Sequence, residues 1–236
     1  MAGVTRPIVA LDVPSFDDAV ELVDRLGDAC DFYKVGLELY GAAGPDIVEW
    51  LRTEEKSVFV DLKAYDIPNT VRGVARTVAA LGASLLTVHG AGGEAMVRAA
   101  VEGAGPQDGS GCGILVVTVL TSFDAASYSS AAGRENVDIS DEVRRLSRVA
   151  RAAGAFGVVC SGREAGVVRK DHGNALRILV PGVRMTGDAA HDQARTVTPG
   201  EAASEGASYV VVGRAVTKAD DPGSALAGVR AQLALA

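Results

Sequence analysis

The sequence lacks the long apolar segment that a membrane-spanning or exported chain carries. Although 48% of the 236 residues are hydrophobic, no apolar run approaches the roughly 18 residues that a transmembrane helix needs. Residues 1–7, Met-Ala-Gly-Val-Thr-Arg-Pro, contain no apolar signal region. The sequence therefore predicts no membrane partner, no export and a cytoplasmic location.

Cysteine and basic charge are also scarce. The three cysteines, Cys30, Cys112 and Cys160, lie far apart without the spacing of a metal site, so we expect small buried residues in a reducing compartment. The formal net charge is −7, with 23 Lys and Arg against 30 Asp and Glu. This balance argues against a nucleic-acid partner, since the phosphate backbone attracts basic proteins. An anionic small molecule would need a local group of Lys and Arg.

Short apolar runs alternate with amphipathic, alanine-rich stretches along the whole chain. The apolar runs predict strands at residues 8–12, 32–36, 58–62, 85–89, 114–120, 156–160, 177–180 and 209–212. The amphipathic stretches predict helices at residues 16–26, 44–52, 68–81, 93–103, 139–153, 163–169, 199–205 and 222–235. Two connections are unusually long, at residues 121–138 and 182–196, and long loops inside compact domains often close over or bind a ligand.

Eight strand–helix units of about 30 residues each match the spacing of βαβ units. Continuous apolar strands predict a parallel sheet that is covered on both faces. An eight-stranded barrel and a doubly wound sheet both satisfy this pattern. The number of units, and the absence of a linker-like composition, favour a (β/α)₈ TIM barrel with residues 1–236 as a single domain.

The most informative segment is DLKAYDIPNT at residues 61–70, at the end of the third predicted strand. Side chains alternate between the two faces of a strand, so Asp61 and Lys63 are predicted to point the same way. Asp66 lies three residues further on, just before Ile67 and Pro68, which predict the start of a helix. Burying charges is costly unless they are paired, which suggests that the chain uses these three. Read singly, Asp66 could cap the helix and Asp61–Lys63 could be a structural ion pair.

Other polar residues lie near the carboxyl ends of predicted strands, which is where barrels place their active sites. They are Asp12 at the end of the first strand, Lys34 in the second, Thr121 and Ser122 after the fifth, Arg184 after the seventh, and Gly213 and Arg214 after the eighth. Barrels frequently bind phosphate with the loops after strands seven and eight. Glycine allows a backbone N–H to approach phosphate closely, and arginine offers a planar fork for two oxygens. Taken singly, each residue could be an ordinary rim or loop residue.

The DxKxxD core extended by IPNT resembles the signature of the orotidine 5′-phosphate decarboxylase family. The resemblance implies a (β/α)₈ barrel that converts orotidine 5′-monophosphate (OMP) to UMP and CO₂ in de novo pyrimidine biosynthesis. It implies no cofactor and no metal, and a homodimer with shared active sites. One departure is visible, because many members carry His where this chain has Tyr65.

The resemblance also implies a role for each candidate residue. Asp61, Lys63 and Asp66 would form the catalytic array, in which Lys63 stabilises and protonates the C6 carbanion. Asp66 and Thr70 would reach into the neighbouring subunit's site. The remaining roles concern substrate binding: Asp12 and Lys34 on the ribose hydroxyls, Thr121 on the pyrimidine with Ser122 beside it, and Gln193, Gly213 and Arg214 on the phosphate with Arg184 nearby.

Two alternatives stay open from the sequence. A related metal-dependent decarboxylase of a sugar phosphate shares the DxKxxD barrel, but the IPNT extension and Lys34 argue against it. A non-catalytic nucleotide-phosphate binding protein on the same barrel is also conceivable, and the intact Asp61–Lys63–Asp66 array argues against that. His89 could be an acid–base group or a metal ligand, and a hydrogen-bonded support role is the favoured interpretation.

Overall fold

The computed structural model describes residues 4–185 and 197–236. Eight strands form a closed parallel barrel in chain order, and the last strand pairs with the first. Their bounds are β1 Arg6–Leu11, β2 Phe32–Gly36, β3 Ser57–Ala64, β4 Leu85–His89, β5 Gly113–Val117, β6 Gly157–Val159, β7 Arg177–Val180 and β8 Tyr209–Val212. The barrel predicted from the sequence is therefore confirmed.

Helices surround the barrel and cover the outer face of its strands. Their bounds are α1 Phe16–Leu26, α2 Leu37–Ala43, α3 Asp46–Thr53, α4 Pro68–Ala80, α5 Gly93–Ala104, α6 Ala125–Ala132, α7 Ile139–Ala152, α8 Gly162–His172, α9 Pro199–Ser204, α10 Arg214–Thr217 and α11 Pro222–Ala234. In the described ranges, no helix is both long enough and apolar enough to cross a lipid bilayer. Cys30, Cys112 and Cys160 are buried and unpaired by disulfides, as expected.

Three short helices and the bounds of four strands, β1, β3, β5 and β6, differ from the sequence-based expectation. Helices α2, α6 and α10 were not predicted, and α6 lies inside the segment 121–138 that was expected to be a loop. Helix α6 has no buried residue, so it lacks the apolar stripe that reveals a helix in a sequence. Strand β5 ends at Val117 instead of residue 120, because the ladder with β6 ends where Val117 pairs with Val159.

The apolar side chains of the strands form two layers, one on each face of the barrel wall. The larger one lies between the strands and the helices. The smaller one fills the inside of the barrel and includes Ile8, Ala10, Phe32, Phe59, Leu85, Leu115, Val117, Val159, Leu179 and Val211. Since strand side chains alternate, the next inward positions toward the carboxyl ends belong to Asp12, Lys34, Asp61 and Thr87. A polar layer therefore lies directly above an apolar floor.

Candidate active site

A cavity of about 600 Å³ opens at the carboxyl ends of the strands. This volume is in the range that accommodates a small-molecule ligand. Nine of the residues singled out from the sequence line it: Asp12, Lys34, Asp61, Lys63, Thr121, Ser122, Arg184, Gly213 and Arg214. The barrel has brought together residues that lie as much as two hundred positions apart in the chain.

Four charged side chains of alternating sign form a connected row along one wall of the cavity. Lys34 Nζ lies 2.8 Å from Asp12 Oδ1 and 4.0 Å from Asp61 Oδ2. Lys63 Nζ lies 3.0 Å from both oxygens of Asp61. The Asp61 side chain is only 15% exposed and that of Lys34 only 11%. Charges so far removed from water persist because each has an oppositely charged neighbour.

The backbone of Lys63 is not that of a regular strand. Its φ is 49°, in the left-handed region, which costs a non-glycine residue about 1–2 kcal/mol. The pairing of β3 with β4 shifts register between Val60 and Ala64. The predicted proximity of Asp61 and Lys63 is confirmed by their ion pair, but a local irregularity, and not simple strand alternation, produces it.

Thr87 is the residue of this layer that the sequence analysis missed. It is fully buried in β4. Its hydroxyl donates to Asp61 Oδ1 at 2.9 Å and accepts from the backbone N–H of Lys63, also at 2.9 Å. A threonine inside an apolar strand looks like an ordinary β-former. Its position in the sequence could have identified it, because Thr87 follows the inward-facing Leu85 by two residues and therefore also points into the barrel.

Gly36, the last residue of β2, leaves room for the Lys34–Asp12 ion pair. A Cβ atom at this position would lie 2.9 Å from Lys34 Nζ and 3.4 Å from Asp12 Oδ1. Its φ of −92° is open to any residue, so space and not backbone conformation is what the glycine supplies. A larger residue would push the ammonium group away from its carboxylate.

Asp66 and Thr70 stand apart from the cavity. Both are exposed, and neither lines it. Asp66 Oδ1 accepts a hydrogen bond from the N–H of Ile67 at 2.6 Å, and within the described chain it forms no ion pair with Lys63. Asp66 therefore does not join the Asp61–Lys63 ion pair within the described part of one chain, and its predicted catalytic role in a neighbouring subunit stays a prediction. The capping alternative is wrong, because Ile67 is the N-cap of α4 and no side chain within the described residues caps this helix.

Two arginines and two glycines stand at the opposite side of the site, after β7 and β8. Gly182 has a φ of 67°, and the N–H of Arg184 donates to the carbonyl of Val197 at 3.0 Å. Gly213 directly precedes α10, of which Arg214 is the first residue. Two guanidinium groups on one wall suit an anionic ligand.

Gln193, the remaining predicted phosphate contact, lies outside the described residues. Its predicted role therefore stays a prediction.

The segment after β5, which contributes Thr121 and Ser122 to the cavity, is tied to α7 through a buried carboxylate. Glu142 is 3% exposed. Its oxygens accept hydrogen bonds from Arg145 at 2.7 and 3.0 Å, from Arg134 at 2.9 Å and from the Tyr128 hydroxyl at 3.0 Å. The bonds from Arg145, with those of Arg134 and Tyr128, outweigh burial and lower the pKa of Glu142 to about 2.

His89 closes β4 beside this site. Its Nδ1 accepts from the N–H of Ala91 at 3.2 Å, and its ring stacks on that of Tyr65 at 5.8 Å between centroids. Burial lowers the pKa of His89, and the positive charge of Lys63 lowers it further. These contacts fit the predicted support role. Among the residues with described positions, no group of three or more His, Cys, Asp or Glu side chains is placed to hold a metal ion.

Known proteins resemble this chain over nearly its whole length. The model of the orotidine 5′-phosphate decarboxylase / HUMPS family matches residues 5–229. The chain is 45% identical over 227 residues to the orotidine 5′-phosphate decarboxylase of Cutibacterium acnes, covering 96% of this chain and 95% of that protein. It is 47% identical over 228 residues to that of Anaeromyxobacter dehalogenans, covering 97% and 98%.

A solved structure agrees in three dimensions as well. The crystal structure of orotidine 5′-phosphate decarboxylase from Lactobacillus acidophilus has a TM-score of 0.86 at 33% identity, with 97% of this chain and 99% of that chain covered. The shared barrel and the family match over residues 5–229 lead to one conclusion. This chain belongs to the orotidine 5′-phosphate decarboxylase / HUMPS family.

Proposed function

We propose that this protein decarboxylates OMP to UMP and CO₂ in de novo pyrimidine biosynthesis. The observation that carries the proposal is the ammonium group of Lys63, which both oxygens of Asp61 hold at 3.0 Å in the wall of the cavity. The Lys63 side chain is 34% exposed, so a ligand in the cavity has access to it. The curated relatives carry the name of this enzyme, which supports the same conclusion.

The reaction needs a cation at one place only. When the bond from C6 to the carboxylate breaks, its electron pair stays on C6 and CO₂ leaves. A preorganised ammonium group stabilises that charge as it develops. Lys63 then donates a proton to C6, so the proton replaces CO₂ and the lysine is left neutral until it regains a proton from solvent.

The other charged residues orient the substrate around this point. Asp12 and Lys34, joined at 2.8 Å, offer an acceptor and a donor to the ribose hydroxyls. Asp61 holds Lys63 in place and faces the substrate carboxylate.

Arg184, Gly213 and Arg214 would bind the phosphate on the opposite wall. Binding energy gained there, far from the reacting carbon, serves to position the pyrimidine ring at Lys63.

A homodimer with shared active sites is part of the proposal. Asp66 and Thr70 are exposed in a single chain and would complete the site of a second one. Tyr65 and Ile67, in the same segment as Asp66, are 64% and 67% exposed. Large apolar side chains at such exposure favour burial against a partner. A cytoplasmic location stays a prediction from the sequence, which has no apolar signal region at residues 1–7.

The relatives do not favour the two alternative functions. A metal-dependent sugar-phosphate decarboxylase would stabilise an enediolate with a divalent cation held by carboxylates. A non-catalytic binding protein would have no need of the strained backbone that brings Lys63 to Asp61.

The test is a direct assay of the purified protein. We expect OMP absorbance to fall, with one CO₂ released and one UMP formed for each OMP consumed. We expect the same rate after dialysis against EDTA, because no step in the proposed reaction uses a metal. Absence of turnover with OMP would refute the function, and a rate that EDTA abolishes and Mg²⁺ restores would favour the metal-dependent alternative.

A further inference from the structure

Thr87 joins the two ends of the tripeptide that carries the reacting ammonium group. Its single hydroxyl oxygen lies 2.9 Å from a carboxylate oxygen of Asp61 and 2.9 Å from the backbone nitrogen of Lys63. Asp61 and Lys63 belong to β3, and Thr87 belongs to the neighbouring strand β4. The contact falls where the β3–β4 register shifts, between Val60 and Ala64.

The direction of both hydrogen bonds follows from the chemistry of the groups. A backbone N–H can only donate, so the hydroxyl oxygen accepts the bond from Lys63. The hydroxyl proton is then free to point to Asp61, whose ionised carboxylate can only accept. One side chain thus uses its donor and its acceptor together, and a residue with only one of these functions cannot replace it.

We propose that Thr87 is a positioning residue for the reaction: it holds Lys63 in its left-handed backbone conformation and fixes the Asp61 carboxylate against the Lys63 ammonium group. A strained backbone persists only where its surroundings over-determine it. At Lys63 the register of β3 against β4 is shifted. The backbone N–H of Lys63 therefore donates to the Thr87 hydroxyl, a side-chain acceptor on β4. The full burial of Thr87 keeps water from competing for either bond.

This inference rests on the proposed function for its kinetic consequences. Thr87→Val keeps the shape of the side chain but removes the hydroxyl, so Lys63 N–H loses its acceptor and Asp61 loses a donor. A small displacement of a reacting group costs about 100-fold in rate. We therefore expect kcat for OMP to fall by about 100-fold. KM and the dissociation constant of UMP should change by less than about threefold, because ribose and phosphate are bound elsewhere.

Two further variants separate positioning from a merely structural effect. Thr87→Ser restores the hydroxyl and should recover kcat to within about fivefold of wild type. Thr5→Val is the matched control, because Thr5 is also buried and donates a hydrogen bond to the carbonyl of Ala207 at the opposite end of the barrel. It should lower the melting temperature as Thr87→Val does, but leave kcat unchanged.

A crystal structure of Thr87→Val completes the test. We expect the Lys63 φ to leave the left-handed region, or the Lys63–Asp61 ion pair to open. The proposal is overturned if the variant keeps both features, if Thr87→Ser is as slow as Thr87→Val, or if the loss of kcat equals the loss of folded protein. Should the wild-type protein fail to act on OMP, the proposed function falls, and the crystal structure alone decides the role of Thr87.

Discussion

Replacing Glu142 by glutamine is expected to lower the free energy of unfolding by about 3 kcal/mol at neutral pH. The pKa of this carboxyl group falls from 4.5 to about 2 in the folded protein. Each pKa unit corresponds to about 1.4 kcal/mol of preference for the ionised form. Glutamine has the shape of the protonated acid, so the substitution removes this preference and leaves the packing nearly unchanged.

The effect has a defined pH dependence. The folded state prefers the ionised carboxylate, so its stabilising contribution is fully present above the unfolded pKa of 4.5. It is lost as the pH falls from there through the folded value of about 2. Wild type and Glu142→Gln should therefore differ most at about pH 7 and converge as the pH approaches about 2.

Urea unfolding of both proteins at several pH values measures this difference. Glu102→Gln is the matched control, because Glu102 pairs with Arg72 at 2.8 Å but its side chain is 53% exposed. Exposed pairs contribute at most about 1 kcal/mol. A difference between wild type and Glu142→Gln that is as small as the control's, or that stays constant down to low pH, would refute the reasoning.

The same substitution should also affect the site. Glu142 anchors Tyr128 of α6, and α6 follows the segment that brings Thr121 and Ser122 to the cavity. Loosening this anchor should raise KM for OMP while Lys63 and its carboxylate stay in place. A KM that is unchanged would mean that the segment after β5 is positioned without the Glu142 hydrogen bonds.

Three predictions concern the reaction itself. Lys63→Ala should abolish turnover in a folded protein, and retention of more than about a hundredth of the wild-type kcat, a loss below roughly 2.7 kcal/mol, would contradict its central role. Inactive Lys63→Ala and inactive Asp66→Ala chains, mixed and allowed to exchange, should regain activity in hybrid dimers. Demonstrated hybrids without activity would count against shared sites. Arg214→Ala should lose kcat/KM on OMP far more than on orotidine, which has no phosphate, and equal losses on both would remove Arg214 from the phosphate site.

The barrel and most of the candidate site could be predicted from the sequence, because both depend on patterns that are local in the chain. Apolar strands recur at regular intervals, and polar residues follow them at their carboxyl ends. Once eight parallel strands close, these ends must meet at one opening. The segment DLKAYDIPNT stands out by its charges alone, and two of those charges prove to be neighbours.

Side-chain contacts between different strands, and between different helices, could not be predicted in the same way. Thr87 and Asp61, which form a hydrogen bond, are 26 residues apart in the chain. Glu142 and Tyr128, which also form a hydrogen bond, are 14 residues apart. Helix α6 could not be predicted either. None of its residues is buried, so its sequence has no helical period of apolar residues.

Asp66 illustrates the limit most clearly. In the sequence it lies three residues from Lys63, and strand alternation predicts only that Asp61 and Lys63 point the same way. The left-handed backbone of Lys63 and the shifted register redirect the chain, and Asp66 ends in solvent. Sequence alone determined which residue types follow which strand. The tertiary structure decided which of them touch, because side-chain direction depends on backbone torsion and strand register, and these are settled only when neighbouring strands pair.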